Sequence, residues 1–403
     1  MKILHTSDWH LGKKLDNFSR HEEQQAVLEE IVQIADSEHV DAVIIAGDLY
    51  DTYNPPIESV ELFYRTLKRL SKNGKRPVIA IAGNHDSPDR IEAPDPLARE
   101  SGIILVGYPN TKIRKFKNDV GLELLKSNEG FIELKIPGVS APLRIILNPY
   151  ANQFRMKTYL GVENEEEELR NVLEKSWKEL SDQYYDNKGV NVLVSHMFIV
   201  KEGATIPEEP DDEKPILHVG GVQTIYPKNI PENIQYVALG HLHRKQMVSN
   251  EPCPIIYSGS PVSYSFSEAN QKKFVCIIDV EPGGVANVKD VDLIKGRKLE
   301  RKKFDNIDEA VSWLNKNQES LVELTMVSDD FLTAEERKRL KNAHEHIITI
   351  IPEVKSAMGA KQKSATIDIS KNIDELFVDY FKHKQGQNPN DELLDLFKEV
   401  IAK

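Results

Sequence analysis

Residues 1–12 read MKILHTSDWHLG: an apolar run, Lys2–Thr6, that stops at two polar side chains one residue apart, Asp8 and His10. The same grammar recurs along the chain. Ala42–Ala46 runs into Gly47-Asp48, Val78–Ala82 into Gly83-Asn84-His85-Asp86, Asn191–Val194 into His196, and Tyr236–Leu239 into Gly240-His241-Leu242-His243. Short apolar runs bounded by turn residues predict buried strands. Further strands are expected at Ile255–Ser258 and Phe274–Val280. Amphipathic stretches at Ser19–Ser37, Ser59–Lys72 and Glu165–Tyr184 predict helices, and in the first Val27, Leu28, Ile31 and Ile34 share one face. The alternation predicts a layered α/β fold. In such sheets polar sites gather at the carboxyl ends of strands, so five strand ends are expected to meet in one crevice.

Asp8, His10, Asp48, Asn84, His196, His241 and His243 form a mixed oxygen and nitrogen donor set. That set suits Mn, Fe, Zn, Co or Ni better than Ca or Mg, which prefer all-oxygen shells. The D-x-H and H-x-H pairs put both donors on one side of an extended segment. A glycine before Asp48, Asn84 and His241 removes Cβ crowding where the backbone turns. Either pair alone is commonly structural; the ordered set of D-x-H, G-D-x-x-D, G-N-H-D, a post-strand His and G-H-x-H is not. It predicts a two-metal centre that hydrolyses a phosphoester, with metals about 3.5–4 Å apart. His85 points away from its neighbour Asn84 in an extended segment. It is expected to act as general acid with Asp86 orienting its ring, the bland alternative being a supporting or capping histidine. Asp51 is expected to brace the site rather than to ligate.

The 403 residues carry a net charge of −12, awkward for a chain that would hold nucleic acid alone. Glu165–Glu168 and Glu208–Glu213 are acidic, whereas residues 295–303 read KGRKLERKK. Lys295, Arg297, Lys298, Arg301, Lys302 and Lys303 are therefore candidate DNA contacts, against the alternative of a solvated face. No apolar run is long enough to span a membrane, and no signal-peptide pattern opens the chain, so a cytoplasmic location is expected. Cys253 and Cys276 lack near neighbours and read as reduced structural thiols. No Walker A pattern occurs.

The turn Glu281–Gly284 reads as a domain boundary. It divides residues 1–284 from a smaller alternating unit, 285–368, with strands expected at Val285–Leu293, Leu321–Val327 and Ile347–Ile351. Helices are expected there at Ile307–Asn317 and Ala334–His344. In 369–403 two helical stripes follow, one containing Leu376, Phe377 and Tyr380, the other Leu393 and Phe397. They suit docking on a partner, or packing on this chain's own surface. The stretch Thr111–Pro149 reads as short strands and turns without a clear role.

These motifs resemble the calcineurin-like metallophosphoesterases, and HTSDWHLG, GDLYD, IAGNHDSPDR, VSHMF, ALGHLH and YSGSPVSYSFSE resemble the nuclease subunits among them that are related to meiotic-recombination repair nucleases. The resemblance is specific over roughly residues 1–280. It implies an α/β/β/α sandwich, a small α/β cap domain and a C-terminal helical segment that binds a partner. It implies two Mn²⁺ ions, one held by Asp8, His10, Asp48 and His243, the other by Asp48, Asn84, His196 and His241, with His85 catalytic. It further implies a homodimer, a heterotetramer with a coiled-coil SMC-family ATPase, and double-strand 3′→5′ exonuclease and single-strand endonuclease activity on DNA. The acidic segment Pro207–Pro215 departs from the family pattern. Competing readings are a phosphodiesterase or phosphatase for small molecules or phosphoproteins, and a scaffold with a vestigial site. The complete ligand set argues against the last.

Overall fold

The computed structural model describes residues 1–156, 165–203, 224–329 and 332–354, together with 376–378, 394 and 397. Two sheets lie face to face. The first has six strands in the order Asn287–Leu293, Lys273–Asp279, Lys2–Thr6, Ala42–Ala46, Val78–Ile81, Ile103–Val106. The second has seven, in the order Gln246–Ser249, Ile255–Tyr257, Tyr236–Leu239, Val190–Ser195, Leu143–Asn148, Phe131–Lys135, Glu123–Asn128.

Side-chain alternation assigns each strand's faces. Ile3, Ala42, Ile44 and Ala46 from the first sheet meet Val190, Val192, Val194 and Ala238 from the second in a fully buried seam. Leu4, Val43 and Ile45 face the opposite way, onto helices His21–Ser37 and Ile57–Leu70 through Val27, Ile31, Phe63 and Leu67. Leu193, Val237 and Leu239 pack on helix Glu165–Tyr184 through Leu169, Leu173 and Trp177. The layers are thus α/β/β/α. Thr111–Pro149 finds its place here: its strands Glu123–Asn128, Phe131–Lys135 and Leu143–Asn148 build one side of the second sheet. Both cysteines are free and buried, as expected of structural thiols. No helix among the described residues is long and apolar enough to cross a membrane.

The turn Glu281–Gly284 does not separate two bodies. It joins antiparallel neighbours, Lys273–Asp279 and Asn287–Leu293, within the first sheet. The expected strand at Val285–Leu293 therefore belongs to the large layered body, and the smaller unit starts later, at Leu299–Phe304. That strand lies in the basic run. It pairs in parallel with Leu321–Ser328, which pairs with Ile347–Val354. Helices Ile307–Lys316 and Ala334–Ala343 supply the two crossovers that parallel pairing requires. Asn306 caps the first helix, and Thr333 with Glu336 forms a capping box on the second.

The small unit is tied to the large one. Glu30 accepts the backbone N–H groups of Ile294 and Lys295, and Glu23 accepts that of Arg297. Thr349 donates to Asp16 at 2.9 Å, and Phe18 meets the His346 ring edge-on. Of the two C-terminal stripes, Phe377 stacks on Phe397 with ring centroids 3.8 Å apart. Tyr380 and Leu393, like Pro207–Pro215, lie outside the described residues.

The two sheets come closest at the strand ends. A Cβ on Gly240 of the second sheet would stand 1.9 Å from the Ala46 carbonyl oxygen of the first. Gly240→Ala must push that seam apart, at a cost of about 1–3 kcal/mol or more. Urea denaturation in excess EDTA should read this as a lowered midpoint; a wild-type midpoint would contradict the close approach.

Candidate metal centre

All seven sequence-predicted donors converge at the carboxyl ends of five central strands, three from the first sheet and two from the second. The loops carrying them are laced together by backbone bonds. Asp8 N–H donates to the Gly47 carbonyl at 2.9 Å and His10 N–H to that of Asp48 at 2.9 Å. Asp8, His10, Asp48 and His241 all sit at positive φ (54°, 42°, 49° and 109°). Non-glycine residues rarely adopt such angles, and each costs on the order of 1–3 kcal/mol that the surrounding structure must offset. Gly47, at φ 93°, gives the reason for the glycine before Asp48: a Cβ there would meet the His196 ring at 2.1 Å.

The seven donors fall into two clusters. In one, donor atoms of Asp8, His10 and His243 lie within 4.8 Å of one another; in the other, those of Asp48, His196 and His241 do. The Nε2 atoms of His10 and His243 are 3.0 Å apart. Two such lone pairs repel unless a proton or a cation lies between them. Asn84 Oδ1 completes the second cluster, 3.1 Å from His196 Nε2 and 3.0 Å from His241 Nδ1. Asp48 Oδ2 stands between the clusters, 3.5 Å from His10 Nε2 and 3.3 Å from His196 Nε2.

The electrostatics suit cations. Burial pushes Asp8 up to about 6 and lowers His10 and His241 to about 3, leaving two neutral imidazoles with lone pairs to offer. Burial opposes ionisation of Asp48, but His196, His85 and His10 outweigh it and hold the carboxyl well below its ordinary range. Burial would also lower His196; Asp48 and Asp8 lift it instead to about 9. His196 Nδ1 is 2.7 Å from the Ala46 carbonyl, which can only accept, so Nε2 is the atom turned to the cluster. A buried mixed O/N donor set of this kind, with two carboxylates among four imidazoles and an amide, fits divalent transition ions.

His85 lies at the edge of the first cluster, its ring edge-on to His10 with centroids 4.8 Å apart. Its N–H donates to Asp48 Oδ1 at 2.9 Å, and its Nδ1 to the Asp51 carbonyl at 2.9 Å. The expectation that Asp86 orients this ring is corrected. The buried Asp86 carboxylate accepts the backbone N–H groups of Leu49, Tyr50 and Gly83 at 3.0, 2.9 and 2.8 Å, pinning two loops together. Asp51 adjoins the site: its carboxylate is 3.6 Å from His10 Nδ1 and 3.7 Å from Lys13 Nζ, and with His10 and His85 it forms a further group of donors close enough to hold an ion.

Several supporting residues carry no signal of their own in the sequence. Gln24 donates to the His10 carbonyl at 2.8 Å and to Tyr264 Oη at 3.1 Å, and Tyr264 bonds the Trp9 carbonyl. Glu268 accepts Tyr264 N–H at 2.9 Å, pairs with Lys273 and approaches His243 Nδ1 at 3.8 Å. Tyr264 and Glu268 belong to the stretch YSGSPVSYSFSE, which could have pointed to them; Arg155, buried under the Gly83–Asp86 loop, stands in no motif. The basic run is remote in character from this site. Arg301 pairs with Glu323 on the neighbouring strand at 2.7 Å, Lys303 reaches Glu353 on the strand beyond it at 2.7 Å, and Lys302 meets Glu300 at 3.2 Å. Arg297 lies over the Phe18 ring, and Lys295 and Lys298 are exposed.

A family model described as calcineurin-like phosphoesterase matches residues 1–245. A Bacillus subtilis protein named as the SbcD component of nuclease SbcCD is 35% identical over 410 residues, covering 100% of this chain and 98% of its own. A Staphylococcus epidermidis protein of the same name is 28% identical over 411 residues, with 100% and 98% covered. Among solved structures, TT1561 of Thermus thermophilus superposes with a TM-score of 0.39 at 13% identity, over 73% of this chain and 99% of that one.

Asp48 Oδ2 lies within 3.5 Å of a histidine of each cluster, whereas His241 and His243 each belong to one. Calorimetric titration with Mn²⁺ should find His241→Ala and His243→Ala each weakened at one site, and Asp48→Ala weakened at both by at least about tenfold. An Asp48→Ala protein that titrates like wild type would contradict the shared position of that carboxylate.

Proposed function

The chain belongs to the calcineurin-like phosphoesterases and is a phosphodiester hydrolase; within that class we propose that it is the nuclease subunit of a complex with a coiled-coil SMC-family ATPase, its relatives being named as one subunit of a nuclease. The observation that carries the reading is the placement of Asp48 Oδ2 between two largely buried donor clusters. Support for DNA as substrate comes from the full-length similarity to proteins named as nucleases, which continues through residues beyond the phosphoesterase match.

Asp8, His10, Asp48 and His243 would hold one Mn²⁺, and Asp48, Asn84, His196 and His241 a second. Bound there, the paired ions would supply Lewis-acid polarisation of the phosphoryl group and a water acidified for in-line attack. The chain's own residues do the rest. Asp8 and Asp48 bring two carboxyl groups to the centre, so paired divalent ions retain positive charge for an anionic diester. Because His85 Nδ1 is held on a carbonyl, the ring exchanges its proton at Nε2. That proton goes to the leaving 3′ or 5′ oxygen as its bond to phosphorus breaks.

The net charge of −12 fits a division of labour in which the ATPase contributes much of the DNA affinity. The unit built on Leu299–Phe304 would cap the DNA, with Lys295 and Lys298 exposed basic-run residues to meet it. The Leu376–Phe377 and Phe397 stripes would dock on the partner. A homodimer, assembled with two ATPase subunits, exonuclease polarity 3′→5′ on duplex and endonuclease action on single strands complete the proposal.

Purified chain with Mn²⁺, alone and with its co-purified ATPase, should cleave linear duplex DNA and circular single-stranded DNA. His85→Ala should lower that activity by about 10²–10⁴-fold, and Asp48→Ala should abolish it. Hydrolysis of a bis-aryl phosphodiester but of neither DNA would sink the nuclease reading in favour of a small-molecule phosphodiesterase.

A further inference from the structure

Arg155 is one of the few arginines in the described structure that is almost wholly buried, at 3% exposure. It sits in the short helix Gln153–Met156, directly beneath the loop Gly83–Asp86. Its Nη1 donates to the Gly83 carbonyl at 2.7 Å. Its Nη2 donates to the Asp86 carbonyl at 2.8 Å, with the Asn84 carbonyl at 3.4 Å and the Tyr53 hydroxyl at 3.2 Å. The guanidinium lies over the Tyr150 ring, 5.1 Å from its centroid.

All these acceptors are uncharged, so the arrangement is not an ion pair that holds two elements together. It is a fork that grips both ends of a four-residue loop. The loop's N–H side is gripped as well: Gly83 donates to the Asp86 carboxylate, which also ties it to Leu49 and Tyr50. Between the two grips are Asn84, whose Oδ1 closes the second cluster, and His85, whose N–H meets Asp48 Oδ1. A planar guanidinium can span two carbonyls several ångströms apart; an ammonium is a point donor and cannot reach both in one pose.

We propose that Arg155 is a positioning residue for proton delivery: by fixing the Gly83–Asp86 loop it sets where His85 Nε2 stands relative to the leaving oxygen. The inference rests on His85 as general acid, and it assigns a role to a residue outside the metal-ligating motifs. Tyr53, half exposed, joins the same fork and extends it towards the surface.

A general acid matters in proportion to the basicity of the leaving group. An alkoxide leaving from DNA needs the proton; a p-nitrophenolate does not. The test compares wild type, His85→Ala, Arg155→Lys and Arg155→Gln on a single-stranded oligonucleotide and on bis(p-nitrophenyl) phosphate, all in saturating Mn²⁺. Misplacing the acid by about 1 Å should lower kcat on DNA roughly 10²-fold for Arg155→Gln. The aryl diester should change by less than about threefold, and KM for DNA should hold, following the selectivity of His85→Ala. Arg155→Lys should fall between Arg155→Gln and wild type on DNA. The substrate ratio is independent of how much protein is folded, because unfolding removes both activities together.

Equal loss on both substrates, with His85→Ala still selective for DNA, would overturn the Arg155 assignment and leave a merely structural role. No loss on either would overturn it too. If His85→Ala itself shows no dependence on the leaving group, the general-acid reading fails and the Arg155 inference falls with it.

Discussion

Asp48 stands where two sheets, two donor clusters and two loops all meet. One oxygen lies between His10 and His196, and the other accepts the His85 N–H. To reach that position the residue adopts φ 49°, and it follows a glycine whose hydrogen is all that fits against the His196 ring. A carboxylate so buried is costly unless positive charge or donors surround it. Here the histidines outweigh burial and keep it ionised. The neighbouring seam explains why the site can be this tight. The sheets approach so closely at Gly240 and Ala46 that side chains from both reach one cavity without long linkers.

Much of this was legible in the chain. Each apolar run ending in a polar ligand became a central strand, because a buried parallel strand must be apolar throughout and a site at its end must be polar. The seven donors converge as that pattern implied. Asp86 was misread for a physical reason. Adjacency to His85 suggested a partner for its ring, but a buried carboxylate answers to whichever donors the fold brings, and three backbone amides from two loops reached it first. The turn at Glu281–Gly284 was misread because a hairpin and a linker share the same residues. Only strand pairing across Lys273–Asp279 and Asn287–Leu293 distinguishes them.

Arg155 was not legible at all. Its function comes from three carbonyls distant in sequence, and carbonyls leave no trace in side-chain patterns. In the basic run the sequence shows the charges but not their partners. Six positive charges in nine residues suggested a nucleic-acid face, yet once Leu299–Phe304 is a strand, acidic side chains on its own unit meet three of them. Surface pairs of this kind are weak, on the order of 0–1 kcal/mol, so they reduce local positive potential without locking it.

We propose that two metal ions share Asp48. The most direct measurement is anomalous diffraction at the manganese edge from crystals grown with Mn²⁺. The account predicts two peaks about 3.5–4 Å apart, one beside Asp8, His10 and His243, the other beside Asn84, His196 and His241, both in contact with Asp48. A single peak, or two peaks of which Asp48 touches only one, would contradict it.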